Sequence, residues 1–142
     1  MNVQSILGRK GADVATIEQT AGVCDAVQLL GERRIGALVV SGDGRVIEGI
    51  ISERDIVRVA AKGQLDNLSV GAVMSTQVIT CSPGDGVDRL MALMTERRIR
   101  HLPVVDDRGH LAGIVSIGDV VKARLAELEH ENQALADYIS GH

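Results

Sequence analysis

The sequence predicts an α+β fold in which two copies of one unit pack around a pseudo-twofold axis, with a helical extension at the C-terminus. The first observation is a phrase of glycine, two hydrophobic residues, serine and a later aspartate, which spans 49–55 and recurs at 113–119. The second is that the same 64-residue shift aligns most of the chain without a gap. The third is that 45% of residues are hydrophobic but only 1% aromatic, which predicts an aliphatic core.

Each copy follows the order strand, helix, strand, strand, helix. In the first copy, hydrophobic residues recur at helical spacing from Val23 to Leu30. The last helix of this copy ends before Gly63, which is a typical C-cap residue. The predicted elements are an extended stretch at 13–17, a helix from residue 23, strands at 37–40 and 46–51 around a turn, and a helix at 53–61.

The second copy repeats this order, and a unit this small buries little surface alone, so we expect the two copies to pack face to face. Its elements are an extended stretch at 77–81, a helix-start signal at 82–85, a helical stripe from Val87 to Met94, strands at 102–105 and 111–115, and a helix that continues past Asp119. The predicted segments are an N-terminal piece at 1–12, a first repeat at 13–63, a linker at 64–76, a second repeat at 77–124 and an amphipathic C-terminal helix at 125–142.

The C-terminal helix carries a heptad stripe. The stripe residues are Val121, Leu125, Leu128, Asn132, Leu135 and Ile139. A polar residue at a seam position, here Asn132, is of the kind that fixes helix register in coiled coils. The stripe therefore predicts either contact in a homodimer or packing on the body of the same chain.

Charge and composition narrow the function classes. The net charge is −4 and the isoelectric point about 5.5, which disfavours nucleic-acid binding. The two cysteines, Cys24 and Cys81, form no CxxC pattern, so we expect reduced thiols with a packing role. The sequence has no long apolar run and no signal-peptide pattern, which predicts a cytoplasmic protein without a membrane partner.

With these features the sequence resembles a tandem pair of CBS domains, the family named after cystathionine β-synthase. The resemblance rests on the duplicated phrase and on the stretch Arg-Arg-Ile-Arg-His-Leu-Pro-Val-Val at 97–105, and it covers about 13–124. Stand-alone bacterial CBS pairs are the most similar kind. The resemblance implies a regulatory module that binds AMP, ADP, ATP, S-adenosylmethionine or NAD between its repeats. It also implies a homodimer, a downstream protein partner and, in some members, magnesium that accompanies ATP.

The duplicated serine and aspartate have two interpretations. Ser52 with Asp55, and Ser116 with Asp119, fit a capping box at the start of a helix. The same geometry suits a nucleotide, because a helix N-terminus attracts phosphate and a carboxylate accepts both ribose hydroxyls. In the CBS family these positions contact phosphate and ribose.

The two copies differ in the positions of their basic residues. The first copy has Arg54 where the second has Gly118, and the second has Arg100 and His101 where the first has glycine and alanine at 36–37. We therefore predict two non-equivalent pockets, the second of which takes its positive charge from Arg100 or His101. The duplicated Glu-Arg-Arg runs at helix C-termini are interpreted as solvated helix ends.

By analogy with the family, each pocket combines residues of both repeats. One would contain Thr80, Ala37, Ser52, Arg54 and Asp55, and the other Thr16, His101, Ser116 and Asp119. The full set of candidate ligand-binding residues is Thr16, Ile17, Ala37, Leu38, Ser52, Arg54, Asp55, Ile79, Thr80, Arg100, His101, Leu102, Pro103, Ser116 and Asp119.

Three functions stay open on the sequence alone. The first is a sensor of an adenosine-containing ligand, with AMP or ATP favoured, that signals by a conformational or oligomeric change. The second is an interaction or scaffold dimer whose nucleotide sites are vestigial. The third, an enzyme acting on a nucleotide, is disfavoured because the sequence shows no nucleophile–base pair and no histidine spacing typical of a metal site.

Overall fold

The computed structural model describes residues 1–63 and 65–141, and it has the two-repeat α+β architecture with a C-terminal helix. The first repeat contains β1 (Thr16–Ile17), α2 (Val23–Arg33), β2 (Ala37–Val40), β3 (Gly49–Ser52) and α3 (Glu53–Ala60). The second contains α5 (Val87–Arg97), β4 (His101–Val105), β5 (Leu111–Ser116) and α6 (Ile117–Ile139). Helix α1 (Val3–Lys10) precedes them, and a 3₁₀ turn (Leu65–Asn67) and α4 (Val70–Val73) connect them.

The two sheets are not identical. In the first repeat β1 runs parallel to β2, and β2 pairs antiparallel with β3. In the second repeat β4 pairs antiparallel with β5, and the predicted extended stretch at 77–81 joins the sheet only through a bridge from Cys81 to Val104. The reason is Pro103, which replaces Val39. Val39 donates its N–H to the carbonyl of Ala15 at 3.3 Å, and proline has no N–H to donate.

Two elements begin later than predicted, because an aspartate side chain accepts hydrogen bonds from the backbone of the loop before each of them. The return strand begins at Gly49 rather than at residue 46, since Asp43 Oδ1 accepts the N–H groups of Arg45 and Val46 at 2.8 and 2.9 Å. Helix α5 begins at Val87, one turn after the predicted start signal. There Asp85 accepts the N–H of Ser82 at 2.9 Å and forms a separate turn.

The helices that precede each repeat pack into the core of the other repeat. Val3, Ile6 and Leu7 of α1 are buried among the hydrophobic residues of the second repeat. Val70 of α4 is buried in the core of the first repeat. Burial of such side chains stabilises a fold by about 1.5–3 kcal/mol each. The N-terminal piece and the linker are therefore integral parts of the two cores.

Helix α6 presents the predicted heptad stripe to solvent. Val120 and Ala123 of this helix face the core, whereas the apolar stripe residues Val121, Leu125, Leu128, Leu135 and Ile139 are exposed. The interpretation that the stripe packs on the body of its own chain is wrong. Contact in a homodimer stays a prediction.

Candidate functional site

Two clefts open between the repeats, one beside each copy of the repeated phrase. The first cleft lies at the N-terminus of α3 and has a volume of about 720 Å³; its lining includes Gly36, Ala37, Ser52, Glu53, Arg54, Asp55, Arg58, Met74, Val78, Ile79, Arg98, Arg100, His101 and Pro103. The second lies at the N-terminus of α6 and has a volume of about 850 Å³; its lining includes Lys10, Asp13, Thr16, Arg33, Arg34, Gly36, Ala37, His101, Ile114, Ser116 and Asp119. Small-molecule sites usually measure about 300–1,000 Å³.

A capping box closes the start of both helices. Ser52 Oγ accepts the N–H of Asp55 at 3.5 Å, and Asp55 Oδ2 accepts the N–H and hydroxyl of Ser52 at 2.9 and 3.0 Å. Ser116 Oγ accepts the N–H of Asp119 at 3.1 Å, and Asp119 Oδ2 accepts the N–H of Ser116 at 2.9 Å. The structural interpretation of the phrase is thus realised in both copies. All of these bonds to the carboxylates use Oδ2, and both carboxylates lie on cleft walls.

The first cleft is rich in arginine. Arg54, Arg58, Arg98 and Arg100 line it, against the carboxylates of Glu53 and Asp55. Arg54 Nη1 donates to the carbonyl of Arg98 at 3.3 Å, which draws the start of α3 towards the end of α5. This concentration of guanidinium groups at a helix N-terminus suits a phosphate.

The second cleft takes its charge from positions that the sequence interpretation missed. Lys10 Nζ lies 2.7 Å from Asp119 Oδ2 and donates to the carbonyl of Ile114 at 2.9 Å. Although burial opposes it, hydrogen bonds from Lys10 and Ser116 hold the pKa of Asp119 below its usual value. Of the two predicted sources of charge, His101 lines this cleft, whereas Arg100 lines the first.

Arginines at the helix ends are also cleft residues. Arg34 and Arg98 are the C-caps of α2 and α5, and both adopt the left-handed conformation, with φ of 53° and 55°. This conformation costs energy for a residue other than glycine and clusters at functional sites. These residues are exposed at the helix ends, as predicted, and Arg33 and Arg34 also line the second cleft and Arg98 the first. The signal that could have found them is the duplication of Arg-Arg at the helix end.

His101 lines both clefts. Its imidazole lies against Gly36, where an added Cβ would come within 2.9 Å of His101 Cε1. Burial lowers the pKa of His101, an effect that Glu53 opposes. Gly36 and His101 therefore form the wall that the two clefts share.

The predicted candidates divide into three groups. Ala37, Ser52, Arg54, Asp55, Ile79, Arg100, His101 and Pro103 line the first cleft, whereas Thr16, Ala37, His101, Ser116 and Asp119 line the second. Each cleft thus combines both repeats, with Ile79 at the place expected for Thr80. The remaining candidates, Ile17, Leu38, Thr80 and Leu102, line neither cleft.

The physical reasons for these misses differ. Leu38 and Leu102 are fully buried in the two cores, and Ile17 packs against the core of the first repeat. Adjacent residues of a strand point to opposite faces, so a cleft residue such as Ala37 or His101 is followed by a core residue. Thr80 is exposed away from the clefts.

The family model of the CBS domain matches this chain twice, at residues 6–62 and 70–126. The chain belongs to the CBS-domain family. It is 43% identical over 125 residues to the mitochondrial CBS domain-containing protein CBSX3 of Arabidopsis thaliana, which covers 84% of this chain and 60% of that protein. The crystal structure of the CBS-domain containing protein ATU1752 from Agrobacterium tumefaciens has a TM-score of 0.82 and 42% identity, covering 87% of this chain and 99% of that one.

One of the solved structures similar to this chain contains a ligand. The CBS domain protein PAE2072 from Pyrobaculum aerophilum, solved in complex with AMP, has a TM-score of 0.78 and 27% identity, and the match covers 92% of this chain and 99% of that one. In the CBS pair described here, residues 1–63 and 65–141 contain no group of three or more His, Cys, Asp or Glu side chains that could hold a metal ion. Over the same residues, no helix is long and apolar enough to cross a membrane.

The two thiols have different environments. Cys81 is buried beside the second core, as its predicted packing role requires, and burial raises its pKa to about 12. Cys24 is exposed, and its thiol donates to a carboxylate oxygen of Asp66 at 3.5 Å, so a packing role for Cys24 is wrong.

Proposed function

We propose that this CBS pair is a regulatory module that binds an adenosine-containing ligand, with AMP or ATP favoured, and signals by a change of conformation or oligomeric state to a partner protein. The observation that carries the proposal is the composition of the first cleft. It combines a helix N-terminus, four arginines, the carboxylate of Asp55 and an aliphatic wall.

Each part of the ligand has matching chemistry there. Val78, Ile79 and Pro103 form an apolar wall for the adenine ring, which in this nearly aromatic-free chain replaces stacking. Asp55 can accept the ribose hydroxyls through Oδ1, since its capping bonds use Oδ2. The phosphate would lie between the N-terminus of α3 and the guanidinium of Arg54.

The comparison with relatives supports the same ligand class. The homologue from Pyrobaculum aerophilum was solved with AMP. The relative is 27% identical to this chain, so its ligand indicates the ligand class, and the side chains of each cleft decide among adenosine-containing ligands. The arginines of the first cleft favour a ligand with at least one phosphate over an uncharged adenosine derivative.

Thermal unfolding tests the proposal. The protein is stripped of co-purifying nucleotide, which an absorbance spectrum detects because the chain has one tyrosine and no tryptophan. It is then unfolded with AMP, ADP, ATP, S-adenosylmethionine and NAD, with GMP as control. A ligand at a hundred times its dissociation constant should raise the free energy of unfolding by about 2.7 kcal/mol. The absence of a shift with every adenosine ligand would refute the proposal.

A second candidate is an interaction dimer with vestigial nucleotide sites. The exposed stripe on α6 favours it, as do capping boxes that satisfy Ser and Asp without a ligand. Truncation after Arg124 removes the stripe beyond Val121 and should then abolish dimerisation, measured by light scattering. For this candidate Asp55→Ala and Asp119→Ala change neither dimerisation nor partner binding.

A further inference from the structure

We infer that Lys10 determines which cleft takes the ribose of an adenosine ligand: its ammonium group neutralises the carboxylate of the second cleft, while the counterpart residue in the first cleft is the uncharged Met74. The inference rests on the proposed function and deepens it, because it assigns the specificity between the clefts to a residue outside the repeated phrase.

Lys10 is bound to the wall of the second cleft at two points. Its Nζ lies 2.7 Å from Asp119 Oδ2 and 2.9 Å from the carbonyl oxygen of Ile114. Asp119 Oδ2 also accepts the N–H of Ser116 at 2.9 Å, so this one oxygen receives two hydrogen bonds. The side chains of Lys10 and Asp119 are 33% and 26% exposed, which leaves the pair only partly screened by water.

Helix α1 holds Lys10 in this position. The helix is fixed by the burial of Val3, Ile6 and Leu7, and Leu7 lies against Gly113, where an added Cβ would approach within 2.8 Å of it. At the other end of the helix, the N-terminal ammonium of Met1 lies 2.9 Å from Glu127 Oε1. These contacts fix the position of α1, which places Lys10 within reach of Asp119.

The first cleft lacks this contact because the repeat shift places Met74 at the corresponding position. Met74 lines the first cleft, and its side chain packs over Gly49 as Leu7 packs over Gly113. A thioether carries no charge and donates no hydrogen bond. The hydrogen bonds to the carboxylate of Asp55 come from Ser52 of the same capping box.

The two carboxylates should therefore bind the hydroxyls of a ribose with different strength. At Asp55 the hydroxyls add to an existing capping box. At Asp119 the bond from Lys10 also uses Oδ2, so the hydroxyls still meet Oδ1, but the ammonium group offsets the negative charge that would strengthen their hydrogen bonds. The difference between a hydrogen bond to a charged acceptor and one to a neutral acceptor corresponds to about tenfold in an equilibrium constant, so the first cleft should bind the ribose more tightly by about that factor.

The decisive variant copies the first cleft into the second. Asp55→Asn removes the negative charge of the ribose acceptor in the first cleft, and in this background isothermal titration calorimetry with AMP follows the change that a substitution of Lys10 makes at the second cleft. Addition of Lys10→Met should tighten AMP binding by up to about tenfold, and Lys10→Gln should act in the same direction. Lys10→Arg, which keeps a positive charge beside Asp119, is the matched control and should not reproduce the gain in affinity.

The outcomes distinguish a failure of this inference from a failure of the proposed function. Tighter binding in both neutral variants supports the inference. Equal, weaker or undetectable binding of AMP in Asp55→Asn/Lys10→Met and Asp55→Asn/Lys10→Gln overturns it, and weaker binding would mean that Lys10 contacts the phosphate. Failure of every adenosine ligand to bind the unmodified chain would instead refute the proposed function itself. Circular dichroism of each variant shows that it is folded.

Discussion

The two clefts are built on the same repeated phrase and differ in the segments that supply their charge. In the first, Arg54 comes from the phrase itself and Arg98 and Arg100 from the turn after α5. In the second, the phrase has Gly118, and Lys10 enters from a helix that packs across from the opposite end of the chain. The duplication thus sets the position of serine, aspartate and the helix-end arginines, whereas the segments between the repeats make the clefts chemically different.

The largest effect on AMP binding is expected from substitution of Arg54, the basic residue within the repeated phrase. Arg54→Gln should weaken AMP binding by about 10- to 100-fold, because a hydrogen bond from a guanidinium to phosphate is lost. Gly118→Arg, which copies the first phrase into the second, is sterically accessible because Gly118 is exposed, and should tighten binding at the second cleft.

Calorimetry with AMP and with adenosine checks this prediction. Adenosine has no phosphate, so its affinity should be unaffected by Arg54→Gln. Equal losses for AMP and adenosine would show that Arg54 acts on the structure of the cleft and not on the phosphate.

An effect of intermediate size is expected on stability, where Gly49 and Gly113, the glycines that begin the two copies of the phrase, can be compared. An added Cβ at Gly49 would lie 2.5 Å from Met74 Sδ and 2.8 Å from the backbone oxygen of Ser75, whereas at Gly113 it would meet only side-chain atoms of Leu7. Gly49→Ala should therefore lower the free energy of unfolding by about 1–3 kcal/mol. Gly113→Ala should lower it by less, since a side chain moves more easily than a backbone carbonyl that is bonded to Ile50.

Urea denaturation of both variants measures this difference. A larger loss in Gly113→Ala than in Gly49→Ala would contradict the comparison and would show that the packing of α1 is the more rigid contact.

The smallest effect concerns the wall between the clefts. Burial lowers the pKa of His101 in the folded state from its ordinary 6.5, an effect that Glu53 and Asp119 oppose and that Lys10 and Arg100 assist. The folded state thus binds this proton less readily than the unfolded chain does. The stability contributed by the neutral imidazole is fully present above pH 6.5 and decreases as the pH falls below that value.

His101→Gln should remove this part of the pH dependence, measured as the free energy of unfolding between pH 5 and pH 8. An unchanged slope in the variant would mean that another group is responsible.

The sequence allowed prediction of the order of elements and of the frame of both sites, because the duplication is visible as a constant shift between residues of like type. It did not reveal the lost strand pairing at 77–81, which depends on one missing N–H at Pro103. Leu38 and Leu102 lie in the two cores because neighbouring residues of a strand face opposite sides of the sheet.

The contact of Lys10 with Asp119 could not be predicted from the sequence for a different reason. The 64-residue shift pairs it with a methionine, so no repeated pattern marks it. Its role follows from the crossing of α1 onto the second repeat, a tertiary arrangement that spacing along the chain does not encode. The exposed stripe on α6 was visible as a heptad pattern, but only burial shows that it does not pack on its own chain.

The most direct test of the central claim is the stoichiometry of AMP binding measured by calorimetry on the stripped protein, with Asp55→Asn and Asp119→Asn as matched variants. We expect one tight site per chain that Asp55→Asn weakens and Asp119→Asn leaves in place. Two sites of equal affinity, or a tight site that is lost in Asp119→Asn and kept in Asp55→Asn, would contradict it.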